Sequence, residues 1–267
     1  MDKAALYGKL NVAKVVIDGE SVSVNIFSDV LVKEYPLVIK INGVEIRRYI
    51  VSETMLKEFI IGNLFSLGIV NNLSEIKSVS FKGNEVDIKL DPKALRRIPI
   101  LTITPSCGEQ VLPEISGDKL AINTKIRAEN VLEAIKQMFT SSDVFKETGG
   151  THVSSLFDID TSRTLIVVED LGRHNAADKV LGWGILRGVS FEKVAIVTSG
   201  RVFSDLVVKA FRIGTPIIIS KSAPSYDAAL SARKYGITLI GFARGNRFNV
   251  YSEPGRIVEL ENIVLED

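Results

Sequence analysis

The stretch VAIVTSGRVFSDLVVKAFRIGTPIIIS, Val194–Ser220, reads as strand, helix, strand. Val194–Val197 and Ile217–Ser220 are short apolar runs of the buried-strand kind, and Val202–Arg212 between them repeats its apolar residues at helical spacing. Two such strands joined through a helix form a βαβ crossover, in which the strands lie parallel and the helix covers the sheet. The pattern extends both ways. Helix Ala176–Leu186 precedes this stretch; helix Tyr226–Lys234, strand Thr238–Phe242 and a short strand Phe248–Tyr251 follow it. Further upstream, helix Ala128–Phe139 sets Val131, Ile135 and Met138 on one side. Val153–Phe157 and Thr164–Val168 then read as a hairpin around the polar turn DIDTSR, so the sheet is mixed rather than all parallel.

The first half has a different rhythm. Candidate strands are Lys9–Ile17, Ser21–Phe27 and Leu37–Ile41, and the turn Asn42-Gly43 joins the last of these to Val44–Val51. Ser52-Glu53-Thr54 reads as a helix start, with Met55, Phe59, Ile60 and Leu64 at helical spacing and Gly68 as the stop. Strands Ile76–Lys82 and Glu85–Leu90 follow, and Leu101–Thr104 leads into PSCGEQ, Pro105–Gln110. The chain is therefore expected to be α/β in two parts: a smaller β-rich N-terminal domain over 1–125 and a mixed sheet with flanking helices over 126–267.

Composition bounds the function. Of 267 residues, 46% are apolar and 24% charged, the balance of a globular chain. A net charge of +1 argues against a dedicated nucleic-acid binder. The N-terminus lacks a signal-peptide core and no apolar run has the length of a membrane span, so no membrane association is expected and the cytoplasm is the expected compartment. The single cysteine, Cys107, excludes an intrachain disulfide and a cysteine-based metal cluster within one chain.

Chemistry concentrates where strands meet helices. The two histidines, His152 and His174, both sit at such junctions, beside Gly149-Gly150 and Gly172-Arg173. Thr198-Ser199-Gly200-Arg201, the segment Ser220–Ser225 and Phe242–Arg247 occupy comparable positions. Singly, each is a helix cap or a solvated turn. Together they bring Arg173, Arg201, Lys221, Arg244 and Arg247 to neighbouring loops, the groups that hold an anionic ligand with several phosphates. No Walker loop and no G-x-G-x-x-G occurs, and the His-x-Glu and Cys-x-x-Cys ligands of a zinc deaminase are missing, so no zinc or other metal is expected. Locally, Cys107 reads more as a small inert thiol than as a nucleophile: its polar loop could expose the sulfur, but Glu109 disfavours a thiolate, no basic residue lies close in sequence, and free cysteines are commonly buried.

TGGTHVSSLF, EDLGRHNAADKVLGW, VTSGR, SAPS and IGFARGNRFNVY, with PLVIKINGVEI and EFIIGNLFSLGIV in the first half, resemble the FdhD family of formate dehydrogenase accessory sulfur carriers. The resemblance implies a sulfurtransferase-type carrier. It takes sulfur from a cysteine desulfurase as a persulfide and passes it to the molybdenum or tungsten of a bis(molybdopterin guanine dinucleotide) cofactor. That cofactor then enters the formate dehydrogenase catalytic subunit. It also implies a C-terminal fold similar to cytidine deaminase without its zinc ligands, and a homodimer. Cys107 matches the persulfide-bearing position, and Phe242, Ala243, Arg244, Gly245, Asn246 and Arg247 match the segment assigned to the guanine dinucleotide. His152, Arg173, His174, Ser199 and Arg201 are expected to line the same site. One departure stands out: the family's Cys-x-x-Cys is here Cys107-Gly108-Glu109-Gln110, so a relay between two thiols of one subunit is impossible. Two rivals follow, a non-enzymatic cofactor chaperone with a silent cysteine, and a hydrolase or transferase using His174 and Asp170 on a free nucleotide.

Overall fold

The computed structural model describes residues 6–97 and 117–265. The expected strand Leu101–Thr104 and Cys107 lie outside the described residues. Strands β1 (Tyr7–Asp18) and β2 (Ser21–Val32) pair antiparallel as a separate two-stranded ribbon. Strands β3 (Tyr35–Ile41), β4 (Val44–Val51), β5 (Ile76–Lys82) and β6 (Glu85–Leu90) form a second sheet in the order β4-β3-β6-β5. Asn42 and Gly43 both take positive φ, 52° and 87°, as a two-residue hairpin turn demands.

Helix α1 (Leu56–Ser66) and the short α2 (Pro92–Leu95) complete this half. Ser52-Glu53-Thr54 does not cap α1. The residue before the helix is Met55, with φ 52° and no side-chain cap. The backbone of Ser52 is engaged elsewhere: its N–H donates to Asp170 at 3.1 Å and its carbonyl accepts from Lys179 Nζ at 2.9 Å. A tertiary contact thus holds the segment that the sequence offered as a local cap.

The second half contains α3 (Ala128–Thr140), α4 (Asp143–Thr148), β7 (His152–Asp158), β8 (Arg163–Asp170) and α5 (Arg173–Leu186). After these come β9 (Val194–Thr198), α6 (Ser204–Ile213), β10 (Ile217–Ser220), α7 (Tyr226–Tyr235), β11 (Thr238–Arg244) and β12 (Arg247–Ser252). Its six strands run β12-β11-β10-β9-β7-β8. Strands β9, β10 and β11 are parallel, and β7 pairs antiparallel with both β8 and β9.

Side-chain alternation divides the sheet's two faces. Val194 and Ile196 of β9 join a core with α5, α6 and α7, while Ala195 and Val197 join a second core with Val131, Ile135 and Met138 of α3. The first core continues through Phe59, Ile60 and Leu64 of α1 to Leu37, Ile39, Val86 and Ile88 of the four-stranded sheet. α5 is therefore buried on nearly all sides and carries two buried ion pairs. Lys179 reaches Asp170, and Asp178 takes Lys209 of α6, each at 2.6 Å. Asp178 also accepts from Asn63 and Ser66 of α1, both at 2.8 Å.

Candidate functional site

Strand direction gathers the candidate residues at one end of the six-stranded sheet. His152 opens β7 opposite Asp170, the last residue of β8. Ser154 pairs with Thr198 at the end of β9, and Thr198 with Ser220 at the end of β10. Arg244 ends β11 opposite Arg247, the first residue of β12. Helices α5, α6 and α7 all start from this end, so their N-terminal N–H groups point towards it.

A cleft of about 410 Å³ lies here. Its walls are Gly149, Gly150, Thr151, His152 and Leu171 on one side and Ser199, Lys221, Ser222 and Arg244 on the other, with Phe139 and Phe145 from α3 and α4. The two rings lie 5.4 Å apart in a tilted pair, and the Lys221 ammonium sits 4.2 Å from the Phe139 centroid. Lys221, Arg201, Arg244 and Arg247 are all exposed. Their charges face solvent at the sheet end, where an anion reaches them without first displacing a buried carboxylate.

The histidines are held differently. His174 lies in the first turn of α5 and donates from Nδ1 to Asp205 in the first turn of α6, at 2.7 Å. Burial pushes the Asp205 carboxyl up, but the hydrogen bond and charge of His174, with Lys209, outweigh it and leave the group below its ordinary range. Asp205 is thus an ionised partner. His152 is half-buried, and burial, then the charges of Arg173 and His174, hold its pKa below the ordinary 6.5 despite Asp170 nearby. At neutral pH it is an uncharged imidazole, an acceptor or donor rather than a cation.

Of the residues singled out from sequence, His152, Ser199, Lys221 and Arg244 line the cleft directly. Ser199 is also a clamp, accepting the Val153 N–H at 2.9 Å. Arg173 is buried, its guanidinium 4.9 Å from the Phe203 ring, and Arg201 lies over the same ring at 5.3 Å. Gly245 and Asn246 form the tight turn between β11 and β12. Phe242 has φ 53°, and its backbone N–H donates to Ser222. Ala243 turns its methyl into the core with Ile240 and Ile257, so at this site it offers backbone alone.

Asp170 faces inward. It is fully buried, accepts from Ser52, Gly172, Asn175 and Lys179, and has no path to a substrate. That geometry removes the acid–base pairing of Asp170 with His174. Among the described residues, no group of three or more His, Cys, Asp or Glu is placed to hold a metal ion, and no helix is long and apolar enough to cross a membrane.

Sequence reading missed Phe139, Phe145 and Leu171 as cleft walls and Asp205 as the partner of His174. It also missed α4, whose N-terminal N–H groups at Val144 and Phe145 are held by the Glu169 carboxylate of β8. Thr151 donates to the same carboxylate at 3.1 Å, so Glu169 fixes both ends of the segment that forms the cleft wall.

The fold and cleft define a layered α/β protein with a cation-rimmed site at the strand ends, lacking a nucleotide-binding glycine loop. Residues 32–258 match the model of the FdhD/NarQ family, and the chain belongs to that family. It is 35% identical over 256 residues to the sulfur carrier protein FdhD of Methanothermobacter thermautotrophicus, covering 95% of this chain and all of that one. The sulfur carrier protein FdhD of Bacillus subtilis is 36% identical, over 86% of this chain and 91% of its own. A crystal structure from Desulfotalea psychrophila, of a protein proposed to be a formate dehydrogenase accessory protein, superposes with a TM-score of 0.73 at 27% identity. It covers 93% of this chain and 99% of that one.

Proposed function

We propose that this chain is a sulfur carrier for formate dehydrogenase maturation. Cys107 receives sulfur from a cysteine desulfurase as a persulfide and delivers it to molybdenum or tungsten in a bis(molybdopterin guanine dinucleotide). That cofactor is cargo, bound for the formate dehydrogenase catalytic subunit. Phe242–Arg247 with His152, Arg173, His174, Ser199 and Arg201 form the cargo site, and the carrier works as a cytoplasmic homodimer. In this reading, residues 126–267 are a zinc-free relative of the cytidine deaminase fold and residues 1–125 the domain that presents the cysteine.

One observation carries the reading: in a chain of this family, the strand ends open into a cleft rimmed by Lys221 and Arg244 and walled by two phenylalanines. Cations and backbone N–H groups suit phosphates, and aromatic faces suit a purine. The names of its relatives, sulfur carriers and a formate dehydrogenase accessory protein, point the same way. Asp170 is too deeply committed to serve the rival hydrolase chemistry.

Mass spectrometry after incubation with a cysteine desulfurase and cysteine tests the carrier role. The expected result is a gain of one sulfur that disappears in Cys107→Ala. No gain with a desulfurase that loads another carrier leaves a cofactor chaperone, the alternative that Gln110 in place of a second thiol favours.

A further inference from the structure

A carboxylate that is not part of the cleft lining holds one of the cleft's walls. Glu169 of β8 is half-buried, and its two oxygens take three donors from the segment that ends at Thr151. Oε1 accepts the Val144 N–H at 3.0 Å, while Oε2 accepts the Phe145 N–H and the Thr151 hydroxyl, the hydroxyl at 3.1 Å. Val144 and Phe145 open α4 and Thr151 lies beyond its end, so one side chain ties both ends of the wall.

The wall needs such a tie. α4 has six residues, fewer than two turns, and is too short to hold itself. Its cap residue, Ser142, spends its hydroxyl on the Phe139 carbonyl and leaves the first N–H groups to Glu169. Gly149 ends the helix at φ 63° with open space beside it. A cavity of about 170 Å³ borders Asp143 and Val144 of α4 and Glu169 itself, and shares no lining residue with the cleft. The segment therefore borders two open spaces, and α4 has room to fall back when its tie is cut.

Phe145 is where such a retreat would be felt. Its ring and that of Phe139, 5.4 Å apart, are the two aromatic faces of the cleft. Lys221 and Arg244 belong to the β10 and β11 ends and are not tied to Glu169. The carboxylate behind Thr151 also repels a phosphate, which turns an anionic ligand's phosphates towards those two cations and its flat base towards the rings.

We propose that Glu169 is a positioning residue for base recognition: by clasping α4 it holds Phe145 at the spacing from Phe139 that receives a purine, while Lys221 and Arg244 hold the phosphates without its help. The role rests on the cleft holding the guanine nucleotide of the proposed function, and it adds which group sets the base half of that site.

The test compares GDP with inorganic pyrophosphate by calorimetry, on the native chain, Glu169→Gln, Glu169→Asp and a Glu147→Gln control. Glutamine has one acceptor oxygen for three donors, and aspartate keeps the charge but falls one methylene short. Glu147 is exposed on the same helix, so its substitution removes the same charge and leaves the clasp. Both probes carry a pyrophosphate, so a change in charge alone cancels in their ratio. The expected result is a GDP-to-pyrophosphate affinity ratio lowered about 10-fold in both Glu169 variants and kept in the control, the loss of one base–aromatic stack. Hydrogen exchange in the free proteins should show the Val144 and Phe145 amides opening about 10-fold faster in Glu169→Gln. An unchanged ratio in folded Glu169 variants, an equal fall in Glu147→Gln, or unchanged exchange at those amides overturns the role while leaving the cargo site standing. A native chain that binds neither probe overturns the cargo site and the role together.

Discussion

Gly62 of α1 and Gly182 of α5 face one another across a helix contact so close that neither helix has room for a Cβ. A Cβ built on Gly62 would lie 1.8 Å from the Asp178 carbonyl oxygen, and one on Gly182 would lie 1.9 Å from that of Glu58. Each obstacle is backbone of the facing helix, four residues before the facing glycine. The first half of the chain thus rests on the second through bare helix backbone, and the polar ties from Asn63 and Ser66 to Asp178 surround that contact.

Gly182→Ala is expected to destabilise the protein by about 3 kcal/mol, because α1 must retreat from α5 and open the shared core. The helix-propensity gain of alanine, about 1 kcal/mol, is too small to offset this. Urea unfolding followed by circular dichroism measures the difference. A variant as stable as the native chain would mean that the two helices do not meet this closely.

Lys209 has the same structural weight by different physics. Fully buried, it neutralises Asp178, and removing it leaves a carboxylate with two neutral donors and no countercharge. Lys209→Met should cost about 3–5 kcal/mol, and adding Asp178→Asn should return much of that loss, since a neutral buried pair no longer needs a countercharge. A double-mutant cycle in urea reads the coupling. Additive losses would show that the two side chains do not act as a pair.

How far these features were legible depends on whether their causes are local. Asn42-Gly43 contains its own turn chemistry, and Val44–Val51 was bounded correctly from it. Helix α5 begins at Arg173 rather than Ala176, since the Gly172 N–H is taken by the Asp170 carboxylate and its carbonyl by the Ala176 N–H. Those three residues place His174 on a helix, where it meets Asp205. The strand-end loops were readable as a cationic set, because strand order sends their residues to one end. The aromatic wall was not readable, since Phe145 reaches the cleft from a helix held by Glu169, distant in sequence, and Phe139 joins it from the end of a different helix, α3.

His152 sets a pH dependence. Its folded pKa lies below 6.5, chiefly through burial and then through Arg173 and His174, so the unfolded chain binds this proton first. Stability from this group is present above pH 6.5 and falls as pH drops below it. Asp205, shifted below 3.8, contributes stability that is present above 3.8 and lost only as pH falls through its lower folded value. His152→Gln should therefore flatten the stability profile just below pH 6.5 and leave the acid limb in place. Chemical denaturation across that range checks it, and an unchanged slope removes His152 as the cause.

The cleft itself is tested by its phosphate-binding groups. Arg244, at the end of β11, and Lys221, in the loop after the neighbouring β10, are exposed side chains that both reach the same space. If they hold phosphates, Arg244→Ala and Lys221→Ala should each weaken GDP binding about 10-fold, the loss of one charge-assisted hydrogen bond. Guanosine, which has no phosphate, should bind both variants and the native chain alike. Arg187→Ala, at the far end of α5 where the side chain lies over Trp183, should leave GDP affinity unchanged. Bound GDP should also raise the His152 pKa, because a phosphate in this cleft favours the protonated imidazole. Calorimetry and histidine NMR give the two readouts. GDP affinity indifferent to both substitutions, with a His152 titration that GDP does not move, would place the nucleotide outside this cleft.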